Sequence, residues 1–212
     1  RRHTRSLCDW SSDVCSSDLA INVGDYLIGL GYRLLSRSEE KDEVPAEARA
    51  DVLDSLATAH MRLSEGQGAE LLWRDAQDRK LTPLDALKIY ALKTSPAFEA
   101  ALISGIRLAG DAEKYREAIR TFSRNMGVAF QILNDIDDWT GNDSNKRLAG
   151  GDVIGGRPTL LWALALQILP KEQADELLSL ADRDCEIPDQ QRISRVRQLY
   201  DQDRKSTRLN SS

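Results

Sequence analysis

Between Ala20 and Leu169 the apolar residues recur at spacings of three and four, a period that predicts helices throughout. Ile21 to Leu35 is a small-and-apolar segment whose Gly24, Gly29 and Gly31 point to close helix packing. Charged residues from Ser36 to Glu43 predict a loop, and Pro45 suits the first turn of the next helix. Ala48, Val52, Leu56, Ala59 and Leu63 give that helix one apolar face. Gly66-Gln67-Gly68 interrupts it, and Glu70-Leu71-Leu72-Trp73 resumes it. Thr82-Pro83-Leu84-Asp85 reads as an N-cap, a first-turn proline and an acid at the third position. The helix so started reaches Lys93-Thr94 and meets Pro96, which should kink it. A long helix is predicted from about Ala112 to Trp139, then a Gly-rich loop, then a helix over Thr159 to Leu169 that ends at Pro170. No alternating β-branched segment competes and no fixed-period repeat occurs. The pattern is that of an all-α single domain.

The long helix ends badly. Its C-terminus should carry partial negative charge and favour a basic residue, yet Gln131 to Asn142 reads QILNDIDDWTGN. On a wheel of about 100° per residue, Tyr115, Ile119, Phe122, Met126, Ala129 and Leu133 form one stripe, the expected core face. Gln131, Asn134, Asp135 and Asp138 fall opposite it, within an arc of about 100°. Asp137 lies nearer the core edge and has no ligand role in this reading. Oxygens so grouped suit a hard cation such as Mg²⁺, which takes one or two carboxylates and completes its shell with water and phosphate. A solvated polar face ending in an acidic loop fits the same residues equally well.

Composition narrows the field. The chain of 212 residues is 41% hydrophobic and 30% charged, as soluble globular domains are. A net charge of −5 argues against nucleic-acid or anionic-membrane binding. The longest apolar run, Leu160 to Leu166, is far short of the roughly 20 residues that cross a bilayer. With no signal-peptide pattern, a cytoplasmic location is the default. Cys8, Cys15, Cys185, His3 and His60 have no zinc-type spacing, so any metal is expected on oxygen ligands. The segment CDWSSDVCSSDL (Cys8 to Leu19) and the last ten residues, DRKSTRLNSS, resemble translations of the two strands of a sequencing-library adaptor. Residues 1–19 and 203–212 are therefore expected to be non-native, and residues 20–202 to be an internal part of a longer protein.

Q-I-L-N-D-I-D-D resembles the second aspartate-rich motif, Q-x-x-D-D-x-x-D, of the trans-isoprenyl diphosphate synthases (the polyprenyl synthetase family). Asn134 stands where the first Asp usually does, while Asp135 and Asp138 match. Gly24-Asp25, Gly66-Gln67 before Glu70-Leu71, and Lys93-Thr94 follow the family's order. R-L-A-G-G-D-V-I-G-G-R-P-T is similar to K-x-x-G-x-D-x-x-x-G-K-x-T, with Arg147 and Arg157 in place of lysines. An Arg keeps the charge but replaces a compact donor with a planar fork. The ordered set, from about Ala20 to Leu166, is far more specific than any one motif.

The resemblance implies an isoprenoid-synthase-type helical bundle, here incomplete at its N-terminal side. It implies a prenyltransferase that ionises an allylic diphosphate to a carbocation, which the double bond of isopentenyl diphosphate attacks. The implied catalytic residues are Lys93, Thr94 and Gln131. Lys93, Arg147 and Arg157 would hold diphosphate, Asn134, Asp135 and Asp138 would hold Mg²⁺, and the parent protein would be a homodimer. The family's first aspartate-rich motif should lie upstream of Gly24-Asp25, where the adaptor-like segment stands. Product length is therefore unreadable, and the chain by itself is expected to be inactive. A non-catalytic regulatory subunit or decoy of the same fold is the alternative, kept open by Asn134, Arg147 and Arg157. A terpene cyclase fits less well, because Asp138 and Asn142 fail its N-D-x-x-[ST]-x-x-x-E motif. Gly151 to Pro158 is similar to a phosphate-binding P-loop, but that loop needs a preceding strand and ends in Lys-Ser/Thr.

Overall fold

The computed structural model describes residues 13–36, 44–76, 79–140, 150–182 and 185–209. Eight helices are described in order: α1 (Asp13–Ser36), α2 (Ala46–Arg74), α3 (Pro83–Ala109), α4 (Arg116–Thr140), α5 (Gly151–Ile154), α6 (Leu160–Ile168), α7 (Lys171–Leu180) and α8 (Asp189–Leu209). A single 3-10 turn, Glu113–Tyr115, leads into α4. No strand occurs among the described residues, and the fold is all-α. Helices α7 and α8 lie beyond those expected from the periodicity. Helices α1 and α8 also extend into the two adaptor-like segments, over residues 13–19 and 203–209.

Starts and breaks follow local chemistry. The Thr82 hydroxyl accepts the Asp85 N–H at 3.2 Å and caps α3, with Pro83 in the first turn as expected. Thr159 caps α6 in the same way, accepting from the Trp162 N–H at 3.2 Å. Pro96 sits inside α3, which runs on through it to Ala109. The expected interruption of α2 at Gly66-Gln67-Gly68 does not occur; the helix passes straight through. Gly66 serves packing instead. A Cβ there would lie 2.5 Å from the Lys93 backbone nitrogen, so only glycine lets α2 come this close to α3. The glycines of α1 behave in the opposite way. A Cβ on Gly24, Gly29 or Gly31 would meet nothing within 4 Å, so the close packing expected there is absent among the described residues.

Helix α3 is the axis, flanked by α2 on one side and α4 on the other. The main apolar core lies past them, where Leu81, Ala86 and Ile89 meet Val153, Trp162, Ala163, Leu177, Leu180, Val196 and Leu199. Helices α7 and α8 thus complete a core that α3, α5 and α6 begin.

The expected core stripe of α4 is where the sequence reading fails. Of its six members only Ile119 is buried; Tyr115, Phe122, Met126 and Leu133 are exposed, Leu133 by 60%. The face turned to α3 carries Ser123 and Gly127 instead. A Cβ on Gly127 would lie 2.5 Å from Ser95 Oγ and 2.7 Å from its backbone nitrogen. Small residues let two helix backbones approach, so α4 packs on its small-residue face and leaves the amphipathic stripe outward.

Candidate active site

The approach of α2 and α4 to the backbone of α3 at Lys93 to Ser95 fixes the neighbours of the Lys-Thr pair. Lys93 Nζ donates to Glu70 Oε2 on α2 at 2.5 Å, and both side chains are largely buried. Gln131 Nε2 of α4 donates to Thr94 Oγ1 at 2.6 Å. All three expected catalytic residues therefore meet along one stretch of α3.

One turn earlier, Tyr90 is buried and donates its hydroxyl proton to Asp135 Oδ2 of α4. The N–H of Leu160, the first residue of α6, donates to the Tyr90 oxygen at 2.7 Å and reaches Asp135 Oδ2 at 3.2 Å. Burial pushes the Asp135 carboxyl up to about 6, against the pull of the two hydrogen bonds, with the negative charges of Asp152 and Asp138 adding to the rise. Burial and the Asp135 charge likewise hold the Tyr90 hydroxyl well above the ordinary tyrosine range.

The three expected metal ligands are not presented alike. Asn134 is exposed, Asp138 half-buried, and Asp135 only 6% exposed, with one oxygen committed to Tyr90 and Leu160. They share an arc of α4, but α3 covers the part of that arc where Asp135 lies.

A further acid joins them. Asp138 Oδ2 accepts the Asp152 N–H at 3.2 Å, so the turn that follows Gly150-Gly151 packs onto the end of α4. Arg157, half-exposed, donates to Asp152 Oδ1 at 2.9 Å. Burial raises the proton affinity of the Asp152 carboxyl, and the Asp138 charge raises it further, while Arg157 opposes both. The negative charge of Glu70 makes a smaller contribution to the same rise. Arg147 lies outside the described residues.

The α4 end has no basic residue in its last turn. Its carbonyls are met from elsewhere: Gly150 N–H donates to the Asp138 carbonyl at 2.9 Å, and Arg197 of α8 donates to the Trp139 carbonyl at 2.7 Å. A distant arginine supplies the charge that the helix end lacks.

Asn134, Asp138 and Asp152 are the oxygen donors at the open end of α4. Among the described residues no three His, Cys, Asp or Glu side chains form a closed metal cage. Two neighbouring carboxylates with an amide oxygen fit a Mg²⁺ that keeps most of its shell for water and phosphate. The mutual repulsion of Asp138 and Asp152 is what such a cation would relieve. Tyr90, Glu70 and Asp152 carry site geometry that the sequence reading gave no role. Asp152 stands inside the quoted Arg147 to Thr159 motif and Glu70 four residues after Gly66, so both had a signal; Tyr90 had only its place one turn before Lys93.

A separate cavity of about 740 Å³ opens between the start of α2, the end of α3 and the start of α4. Asp51, Arg62, Glu99, Arg107 and Arg120 line it, and none of the residues above does.

The family model described as Polyprenyl synthetase matches residues 2–201. A curated relative, the all-trans-nonaprenyl-diphosphate synthase (geranyl-diphosphate specific) of Rhodobacter capsulatus, is 35% identical over 162 residues, covering 76% of this chain and 46% of its own. The chain spans about half the length of the curated relatives it matches. Among solved structures, geranylgeranyl pyrophosphate synthetase from Pyrococcus horikoshii Ot3 superposes with a TM-score of 0.73 at 24% identity, over 95% of this chain and 58% of that one. Polyprenyl synthase from Caulobacter crescentus CB15, complexed with calcium and isoprenyl diphosphate, gives 0.61 at 29% identity, over 71% of this chain and 45% of that one. No helix of the described residues is long and apolar enough to cross a membrane.

Proposed function

The chain belongs to the polyprenyl synthetase family, and on that premise we propose that it forms one side of a prenyltransferase site that joins an allylic diphosphate to isopentenyl diphosphate. The carrying observation is a pair of contact groups: Lys93–Glu70 with Thr94–Gln131 along α3, and Asp138–Asp152–Arg157 where α5 and the α5–α6 connection meet the end of α4.

In the proposed reaction the allylic C–O bond breaks and its electron pair leaves with the diphosphate. The isopentenyl double bond attacks the carbocation, a C–C bond forms, and a proton is lost. What the protein must do is stabilise charge on the leaving group. Lys93 would move from Glu70 to a diphosphate oxygen, and Arg157 from Asp152 to another. Arg147 in the sequence motif would add a third cation. Thr94, held by Gln131, would donate its hydroxyl proton to the same group. Asn134 and Asp138, with Asp152, would hold Mg²⁺, which when bound supplies positive charge to the departing diphosphate.

Only one aspartate-rich motif occurs in the 212 residues. We therefore propose that this chain by itself binds without turning over, and that the longer protein condenses the two substrates, as a homodimer in the cytoplasm. Asn134 at the usual Asp position favours one second reading, a binding subunit without turnover. The test is calorimetric titration of inorganic diphosphate into the chain with and without Mg²⁺, together with radiolabelled product formation by the longer protein. Mg²⁺-dependent binding with turnover supports the synthase, binding without turnover in the longer protein selects the second reading, and no binding sinks both.

A further inference from the structure

Tyr90 is a buried core residue whose hydroxyl lies where three helices meet. Its oxygen donates to Asp135 of α4 and accepts from the first N–H of α6. That N–H belongs to the helix-start donors that have no partner inside their own helix. The residues just before it are Arg157, Pro158 and the cap Thr159, so whatever seats Leu160 also seats the strand of chain that carries Arg157. On the other side, Tyr90 lies one turn before Lys93. One hydroxyl thus links the helix bearing the Lys-Thr pair, the helix bearing the acids, and the segment bearing the guanidinium.

A phenylalanine would fill nearly the same volume and leave the hydrophobic contacts of the ring intact. Its loss would fall on geometry: Asp135 and the Leu160 N–H would have only each other, at 3.2 Å. Only that longer bond would then hold the Asp135 carboxylate inward, and the hydrogen bond from the start of α6 to α3 would be gone.

Resting on the reading of the preceding section, we propose that Tyr90 is a positioning residue of the diphosphate site: its hydroxyl turns Asp135 into the helix junction and ties the start of α6, and with it the segment bearing Arg157, to the helix that bears Lys93. It touches neither metal nor diphosphate. It acts through Asp135 and Leu160, neither of which holds the metal in this reading, by fixing the elements that carry Asp138 and Arg157.

The experiment titrates Mg²⁺ with inorganic diphosphate into the purified chain by calorimetry, beside its circular dichroism. Tyr90→Phe should keep its helical signal and weaken Mg²⁺-dependent diphosphate binding about tenfold, the low end for loss of a group that supports a metal site from outside its ligands. Ser123→Ala, which removes an equally buried hydroxyl facing α3 away from the acids, should bind as the unmodified chain does. Leu160→Pro removes the same N–H at a helix position that tolerates proline and should lose a similar factor. It carries the test alone should Tyr90→Phe not fold. Unchanged affinity in folded Tyr90→Phe, or in Leu160→Pro, overturns the positioning role, as does an equal loss in Ser123→Ala. An unmodified chain that binds no Mg²⁺-diphosphate strikes the functional reading itself, and this proposal with it.

Discussion

Gly127 and Ser95 hold α4 against α3 at a distance that excludes any other residue at position 127: a methyl group there would sit 2.5 Å from the serine Oγ and 2.7 Å from its nitrogen. Two opposed effects follow from Gly127→Ala. Helix propensity favours alanine by about 1 kcal/mol, whereas overpacking a tight contact costs about 1–3 kcal/mol. Backbone atoms cannot rotate away, so the cost wins and Gly127→Ala should destabilise the chain. Gly105→Ala is the internal control, because a Cβ at this position of α3 meets nothing within 4 Å; it should stabilise by a few tenths to about 1 kcal/mol. Urea unfolding of both variants checks the pair, and equal signs would defeat the packing argument.

The buried Asp135 predicts a pH dependence of defined sign. Its carboxyl is raised from 3.8 to about 6 in the folded chain, chiefly by burial. Below 3.8 both folded and unfolded forms are protonated. Between 3.8 and 6 the folded form binds more protons, so stability falls as pH rises, and it levels off above 6. The shift corresponds to roughly 3 kcal/mol. Asp85 and Glu176, whose carboxyls are lowered by hydrogen bonds from Thr82 and Arg195, push the other way in the acid range. The comparison must therefore be with Asp135→Asn, which cannot ionise yet still accepts from Tyr90. Relative to the unmodified chain, Asp135→Asn should gain little at pH 4 and most by pH 7. A difference that stays flat across that range would remove Asp135 from the account.

Much of this site was legible because its donors are tied to sequence signals with local causes. Thr82-Pro83-Leu84-Asp85 starts α3 where its cap chemistry says, and Thr94 and Gln131, singled out from two separate motifs, are hydrogen-bonded to each other. What periodicity could not supply was which face of α4 turns inward. The stripe from Tyr115 to Leu133 has the stronger amphipathic signal, but packing was decided by the small residues Ser123 and Gly127 and by what stands on α3 opposite them. Gly66 shows the same thing in α2: a glycine that looks like a breaker is there for a neighbour whose position no local pattern encodes. Asp135 was placed on the right arc and given the wrong surroundings, since its exposure depends on Tyr90, forty-five residues away in the chain.

Lys93 and Glu70 supply a third test. Their 2.5 Å pair is mostly shielded from water, and removing one partner leaves the other charge without compensation. An unsatisfied buried polar group costs about 1–3 kcal/mol, and a charge more, whereas an ordinary surface substitution stays within about 0.5 kcal/mol. Lys93→Ala should therefore lose at least about 2 kcal/mol, and adding Glu70→Ala should return part of that loss. The four unfolding free energies of this cycle report the coupling directly. A coupling near zero would make Lys93 a surface charge with an incidental neighbour.

The outward stripe of α4 carries the last prediction. Phe122, Met126, Phe130, Leu133 and Ile136 are between 40% and 60% exposed along one helix face. Contiguous apolar surface of this kind drives association, since each large side chain gains about 1.5–3 kcal/mol on full burial. The purified chain should accordingly bind a hydrophobic dye and show concentration-dependent association in light scattering. Phe122→Gln with Leu133→Gln should reduce both signals while leaving unfolding free energy within about 1 kcal/mol, because glutamine is a good helix former and neither side chain belongs to the core. The opposite outcome is equally definite. If the double variant loses several kcal/mol and the unmodified chain binds no dye, the stripe is buried in solution, and α4 packs on the face that its amphipathic pattern predicts.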